Sequence, residues 1–345
     1  MAESNQASRV VLITAPLEEG WLQQQQNRWP GLRFVYRSAL THETVPDELW
    51  QEAEVLYMWF ATPVPTPEQA PKLRWVQLYS AGVDEVLHRP LFQSQVTFTT
   101  ASGVHAIAIP EYVMTMILAW SHRLPTLLEL QKQGDWPKSS VRSTLLVPEE
   151  LRGKTIGIVG YGSIGREVAR LAHAFGMRIL AMQRGSDHRD KGYQIANVGD
   201  PEGTLPERYF APTDLHRMLA ECDVVVIAIP LTPSTRGMFN EAAFAAMKSS
   251  AFLVNIARGA VCDEQALIRA LQQKQIAGAA LDVVEHEPLS SESPLWHLPN
   301  VLLTPHISGL TPHYNERVAA LFEENLRRYL SGEPLVNVVD KTQGY

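Results

Sequence analysis

Short apolar runs separated by longer polar segments recur along the whole chain. In the first hundred residues, the short, mainly apolar runs 10–14, 55–59 and 75–79 read as buried strands. The segments between them are long enough for helices, and that alternation predicts a parallel α/β layer. Prolines at 63, 65, 67 and 71 make residues 62–71 an irregular loop or a capped helix start. From Ala108 to about Gln133 the period is helical, carried by Val113, Met116, Ile117, Trp120, Leu124 and Leu127. This stretch is apolar on more than one face, which predicts burial between two domains. Pro125 should kink it or end its first half. Residues 134–148 read as a polar loop.

A second rhythm begins at Leu151: strand 155–159, glycine turn 160–165, helix 164–175, strand 178–182. Apolar runs at 224–229, 252–256 and 277–282 follow, each separated by helix-like sequence, as in a doubly wound parallel sheet. The polar stretch 185–212 is too long for an ordinary connection and is expected to be a solvated surface insertion. An amphipathic helix over 315–330 ends at Ser331-Gly332. The expected organisation is two doubly wound α/β domains. A dinucleotide-binding domain, 103–308, is inserted in a split substrate domain, 1–102 plus 309–345, and the two crossings between them form a hinge and a cleft.

A length of 345 residues fits two cores better than one, and 45% hydrophobic with 19% charged residues is an ordinary globular balance. The net charge of −7, with no basic block, argues against nucleic acid as a partner. An anionic ligand must then be held by a few placed groups. Cys222 and Cys262 lie far apart without metal-ligand or CxxC spacing and read as buried small hydrophobes in a reducing compartment. The polar start followed by a short 10–13 run does not resemble a signal segment. No apolar stretch approaches the roughly 20 residues of a membrane span. A cytoplasmic protein without a membrane partner is expected.

Gly160-Tyr161-Gly162-Ser163-Ile164-Gly165 matches GxGxxG and sits between an apolar strand and an amphipathic helix, the context that gives the pattern meaning. Gly160 permits the tight turn, Gly162 lets a pyrophosphate approach the backbone, and Gly165 lets the helix pack on the strand. The N–H groups at the helix start, from Ser163 and Ile164 on, face the phosphates. An NAD site usually places a carboxylate at the end of the second strand. Here that place, 23 residues after Gly160, holds Gln183, followed by Arg184. A neutral amide and a cation suit a 2′-phosphate better than a bare hydroxyl, so NADP(H) is expected to be preferred, with NAD(H) possible.

Three later segments each put a reactive side chain just after a buried strand: Asn255-Ile256-Ala257-Arg258-Gly259, then Asp282 to Glu287-Pro288, then Thr304-Pro305-His306-Ile307-Ser308-Gly309. In a doubly wound sheet, strand C-terminal ends line the ligand crevice. The set offers a cation for a carboxylate, a histidine for proton transfer and a carboxylate to hold that histidine. Reduction of a keto acid needs those three and no metal.

In order across 151–309, these segments resemble the D-isomer-specific 2-hydroxyacid dehydrogenases, of the glyoxylate/hydroxypyruvate reductase kind. The resemblance is carried by GYGSIG, Pro230-Leu231-Thr232, NIARG, DVVEHEP and TPHISG, and more faintly by Ser80–Asp84 and 103–111. It implies a Rossmann cofactor domain inserted in a flavodoxin-like substrate domain. It further implies that Arg258 binds the substrate carboxylate and polarises the carbonyl, that His306 protonates the carbonyl oxygen, and that Glu287 pairs with His306. General chemistry agrees: arginine offers a bidentate fork, and a carboxylate beside an imidazole favours the protonated ring. By the same resemblance Asp282 holds the nicotinamide carboxamide, Pro230 and Thr232 pass under the cofactor with Ala257 nearby, and the backbone at Ala81, Gly82 and Val83 receives the substrate carboxylate. The resemblance further implies a small 2-keto or 2-hydroxy acid substrate such as glyoxylate or hydroxypyruvate, and, with the apolar 108–133 helix, a homodimer formed mainly through the cofactor domain. Asp84 suits a helix N-cap, His105 and His286 ordinary polar positions, and Trp59 and Trp296 either core packing or the edge of a cleft.

Glutamate at 287, where formate-oxidising relatives carry glutamine, favours hydroxy-acid chemistry. The absence of a domain after Tyr345 disfavours the multi-domain phosphoglycerate dehydrogenases. Two competing readings are a nucleotide-sensing protein like the related transcriptional corepressors and a hydrolase of nucleoside thioethers. The second leaves Arg258, Glu287 and His306 together unexplained. Steady NADPH consumption would exclude the first.

Overall fold

The computed structural model describes residues 9–38 and 44–344. By their internal contacts these form two compact units. One takes the chain up to Val104, Lys191–Tyr193 and Thr311 onward; the other holds His105–Asp190 and Gln194–Leu310.

The first unit is a five-stranded parallel sheet of β1 (Arg9–Ile13), β2 (Leu32–Tyr36), β3 (Ala53–Met58), β4 (Trp75–Leu78) and β5 (Thr97–Thr99), in the order β2-β1-β3-β4-β5. The central strands β1, β3 and β4 are almost wholly buried, which is why they read as mainly apolar runs. Edge strands β2 and β5 carry polar or half-exposed positions and gave no such run. Residues 62–71 form turns without a helix, and Asp84 opens a run of turns rather than a regular helix. The C-terminal helix Tyr314–Ser331 packs into this unit's core. Its Phe322 stacks on Tyr57 (centroids 4.7 Å apart) and on Trp75 (5.4 Å). Asn325, fully buried on the same helix, donates to Gln77 Oε1 and the Val336 carbonyl and accepts from the Val336 N–H.

The second unit opens with helices at Ala108–Ser121, Leu124–Gln133 and Ser139–Leu145. It then builds a seven-stranded parallel sheet from β6 (Thr155–Val159), β7 (Arg178–Met182), β8 (Arg208–Phe210), β9 (Val224–Ile227), β10 (Phe252–Asn255), β11 (Gly278–Leu281) and β12 (Val301–Leu303). Their order is β12-β11-β10-β9-β6-β7-β8. The order reverses at β6, with β7 on one side and β9 on the other, which makes the carboxyl end of β6 the topological switch point.

Three expectations change here. The apolar 108–133 stretch ends its first half just before Pro125, as expected, and is two helices broken at Arg123, whose φ of 56° is left-handed; Pro125 falls in the second helix's first turn, where its missing N–H costs nothing. The first helix is buried within its own unit: Ile109, Val113 and Ile117 join a core with Ile156, Ile158 and Val254, and Trp120 stacks on Phe252 at 4.7 Å. The second helix buries nothing. Residues 134–148 are not all loop, because 139–145, free of glycine and proline, close a helix. The 185–212 stretch is not simply solvated: its last part is strand β8, which extends the sheet beside β7, and its middle is pinned by a buried arginine described below. Among the described residues, no helix is long and apolar enough to cross a membrane.

Candidate active site

Parallel pairing places Met182, Val159, Ile227, Asn255, Leu281 and Leu303 in one register row across β7, β6, β9, β10, β11 and β12. Neighbouring strands in such a row are about 4.8 Å apart. Every candidate of this unit follows that row by a few residues: Gln183 and Arg184 after β7, Gly160 after β6, Pro230 and Thr232 after β9, Ala257 and Arg258 after β10, Asp282 and Glu287 after β11, His306 after β12. Segments up to 146 residues apart, from Gly160 to His306, are thus gathered on one rim.

At the switch point the glycine turn has the shape a pyrophosphate needs. Gly160 adopts φ 104°, and a Cβ there would lie 2.5 Å from the Ala228 carbonyl oxygen. A Cβ on Gly165 would stand 2.2 Å from the Gly160 oxygen, so the helix Ser163–Ala174 can sit this close to β6 only with glycine. At Gly162, by contrast, a Cβ would meet nothing within 4 Å. The backbone is therefore open on the side where the helix begins, and no side chain caps its first N–H groups. A ledge of this kind fits a dinucleotide phosphate.

Next along the rim, the 230–235 loop is tied by Thr235, a residue with no motif to mark it. Its buried hydroxyl donates to the Pro230 carbonyl at 2.7 Å and accepts from the Thr232 N–H at 2.8 Å. After β10, Asn255 accepts from the Ala257 N–H at 3.1 Å and donates to the Arg258 carbonyl at 3.3 Å, closing the turn that carries Arg258. Arg258 is partly buried and donates from Nη1 to the Ala257 carbonyl at 2.9 Å. Gly259 lets this turn press against the β11 loop, since a Cβ there would sit 1.9 Å from the Val284 carbonyl carbon.

Glu287 Oε2 lies 2.7 Å from His306 Nδ1, with both side chains partly exposed. The contact leaves Nε2 as the ring nitrogen that can address a ligand. His306 has φ 54°, a left-handed backbone costing a non-glycine residue roughly 1–2 kcal/mol. Buried Asp282 holds it there. Its backbone carbonyl accepts from the His306 N–H at 2.9 Å, while its carboxylate accepts from the N–H groups of Ile307 and Ser308 at 2.9 Å each. The Thr304 hydroxyl also donates to Asp282 Oδ1, and the Tyr112 hydroxyl bonds that of Thr304, both at 2.6 Å. Burial first, and the Asp282 charge as well, push the Tyr112 phenol up to about 12. Tyr112 lies 192 residues before Thr304 and has no sequence signal that pairs them.

In the first unit, Ala81, Gly82 and Val83 follow β4. The Ser80 hydroxyl donates to the Gly82 carbonyl at 2.8 Å, the Ser80 carbonyl accepts from the Ala101 N–H, and Val83 is buried. Trp59, just after β3, packs edge-on against Tyr79 at 4.5 Å. Trp296 is half exposed, its indole N–H donating to the Ser290 carbonyl.

A switch-point glycine ledge on the same rim as a histidine–carboxylate pair fits a nucleotide-dependent oxidoreductase of the doubly wound class, and comparison with known proteins narrows it. The NAD binding domain of the D-isomer specific 2-hydroxyacid dehydrogenases matches residues 114–308. A glyoxylate reductase of Thermofilum pendens is 37% identical over 274 residues, covering 79% of this chain and 77% of that one. A D-isomer specific 2-hydroxyacid dehydrogenase from Xanthobacter autotrophicus Py2, solved in complex with NADPH and MES, superposes with a TM-score of 0.77 at 29% identity, over 98% of this chain and 100% of that one. An NADPH-dependent glyoxylate/hydroxypyruvate reductase from Sinorhizobium meliloti, solved with NADP and sulfate, gives a TM-score of 0.73 at 27% identity over 98% and 100%. The chain belongs to the D-isomer-specific 2-hydroxyacid dehydrogenase family and is an NAD(P)-binding oxidoreductase.

Proposed function

We propose that the protein reduces small 2-keto acids such as glyoxylate or hydroxypyruvate to D-2-hydroxy acids, with NADPH preferred. The observation that carries this reading is the Glu287–His306 contact of 2.7 Å on the same rim as Arg258 and the glycine ledge. The bound nicotinamide would supply the hydride. His306 donates a proton from Nε2 to the carbonyl oxygen, and Glu287 orients the ring and balances its charge. Arg258 pairs with the substrate carboxylate and polarises the carbonyl, and the backbone of Ala81, Gly82 and Val83 receives the other end of that carboxylate. Gly160, Gly162, Ser163, Ile164 and Gly165 hold the pyrophosphate, Pro230, Thr232 and Ala257 line the cofactor, and Asp282 combines a hold on the nicotinamide amide with its grip on the His306 loop. The names of the Thermofilum and Sinorhizobium relatives support the substrate class, and the NADPH and NADP in the two solved structures support the cofactor preference.

The buried thiols Cys222 and Cys262, which burial pushes above their usual range, suit a reducing cytoplasm. A homodimer is favoured by apolar side chains left exposed after Arg123, including Leu127, Leu128, Trp136 and Leu145. The test of the reaction is a panel of 2-keto acids assayed with NADH and NADPH. Turnover of none would return the protein to the nucleotide-sensing reading.

A further inference from the structure

The helix that begins at the glycine ledge buries a charged side chain that the proposed reaction does not use. Arg166, only 2% exposed, stands one residue after GYGSIG, on the helix face it shares with buried Ala169. Its guanidinium donates from Nη1 to the Asp200 carbonyl and from Nη2 to the His188 carbonyl, each at 2.6 Å, and lies 4.9 Å over the Tyr161 ring. Tyr161, inside the glycine motif, donates its hydroxyl to Asp200 Oδ2 at 2.7 Å. Burial opposes the Asp200 charge. The N–H groups of Leu205 and Thr204, the Tyr161 hydroxyl and the Arg166 charge outweigh it and hold the carboxyl below its ordinary value. Two neighbouring side chains of the phosphate-binding element therefore grip both limbs of the 185–207 excursion.

That grip is transmitted to the end of β7. His188, whose carbonyl Arg166 binds, stacks its ring on Tyr209 of β8 at 3.5 Å and places Nδ1 3.3 Å from Gln183 Oε1. The Gln183 amide nitrogen donates to the Asp187 carbonyl at 3.3 Å. Gly203 makes room for the arrangement, since a Cβ there would lie 2.3 Å from the His188 carbonyl oxygen. A carbonyl fixed by a buried cation thus belongs to the residue whose ring fixes the amide at the ribose position.

We infer that Arg166, with Tyr161, is a positioning residue for dinucleotide discrimination: it holds the 185–207 excursion so that Gln183 and Arg184 face the 2′ position of the adenosine ribose. This rests on the reading of Arg184 as a 2′-phosphate partner. A merely structural arginine would, when removed, weaken all nucleotides together. A positioning one changes their ratio.

The test uses the full chain without dinucleotide and measures, by titration calorimetry, binding of 2′,5′-ADP and of 5′-AMP to wild type, Arg166→Met and Tyr161→Phe. Arg166→Met should weaken 2′,5′-ADP roughly fivefold or more, the size of one partly exposed charge pair, and leave 5′-AMP within about twofold. Tyr161→Phe, which keeps the ring and loses one hydrogen bond, should move the ratio the same way by less. Should Arg166→Met fail to melt cooperatively, Tyr161→Phe decides. Variants that weaken both nucleotides equally, or leave the ratio at its wild-type value, overturn the clamp. Equal binding of the two nucleotides by the wild type overturns instead the reading of Arg184, and the clamp is still judged by whether the variants move the ratio.

Discussion

The Asp282 carboxylate accepts from the N–H groups of the two residues that follow His306, Ile307 at Oδ1 and Ser308 at Oδ2, both at 2.9 Å. The left-handed φ of 54° at His306 would be unstable in an isolated loop. Anchored on both sides of the turn, it aims the imidazole Nδ1 at Glu287. The proposed acid is thus held by Glu287 at its ring and by Asp282 at its backbone.

His306→Ala should lower kcat for reduction by roughly 10²-fold or more, the usual worth of a general acid, while dinucleotide binding stays within about twofold. Glu287 divides into two effects. Glu287→Gln keeps an acceptor for Nδ1–H and loses the charge; Glu287→Ala loses both. Charge-assisted bonds exceed neutral ones by about 1 kcal/mol, so kcat should fall roughly fivefold to tenfold for Gln and further for Ala. Steady-state rates for the three variants check this order, and equal rates for Gln and wild type would detach Glu287 from the proton donor.

Arg258→Lys should raise KM for the keto acid and lower kcat together, because an ammonium cannot reproduce the planar fork. The Asn255 contacts and Gly259 fix the backbone of this turn, so a shorter side chain has no backbone shift with which to compensate. No change in either constant would remove Arg258 from the site.

Much of this rim was legible because its chemistry is local in sequence. Strands buried on both faces announce themselves as apolar runs, and the glycines and reactive side chains sit immediately after them. What stayed hidden depends on pairing over distance. Strands β2, β5 and β8 contain polar residues and β12 is only three residues long, so none stood out as a run. Tyr112 reaches Asp282 only through Thr304, and Thr235 knots a loop by contacts a motif does not record. Burial of Arg166 was not legible either, because its helical neighbours Ser163, Ala169 and Arg170 resemble those of a solvated position. Overlooking it led to the expectation of a solvated insertion.

Asp282 has two proposed duties that can be separated through Thr304. Thr304→Val removes the 2.6 Å hydrogen bond to Oδ1 and leaves the carboxylate in place. If Asp282 acts through the His306 loop, kcat should fall several-fold with unchanged dinucleotide affinity. A variant with wild-type kcat would confine Asp282 to the cofactor.

The exposed apolar side chains beyond Arg123 predict a dimer. Leu127 and Leu128 are 41% and 48% exposed on a helix with no buried residue, and Trp136 is 85% exposed. Burying a leucine contributes roughly 1.5–3 kcal/mol, so covering several is worth association. Sedimentation should give a dimer at micromolar concentration, and Leu127→Glu with Leu128→Glu should give a monomer. A wild-type monomer at that concentration would end the proposal.

NADPH should be preferred over NADH, and the end of β7 sets the size of the preference. A 2′-phosphate brings about two negative charges toward Arg184. Gln183 does not repel them as a carboxylate would. Its amide is engaged at both ends, by the Asp187 carbonyl and by His188 Nδ1, so it acts as a neutral wall more than as a donor. Arg189 is already paired with Glu202 at 3.3 Å, on an exposed surface where exchange of partners is easy. One exposed pair is worth about 1 kcal/mol, which corresponds to roughly a fivefold ratio of kcat/KM values. Recruitment of Ser186 or Arg189 would raise it. Gln183→Asp with Arg184→Ala should reverse the ratio, because the carboxylate then accepts the ribose hydroxyls and repels the phosphate. The comparison of kcat/KM for both dinucleotides in wild type and double variant decides the matter. A wild-type enzyme that favours NADH would overturn this reading of Arg184 and leave the roles proposed for Arg258, Glu287 and His306 untouched.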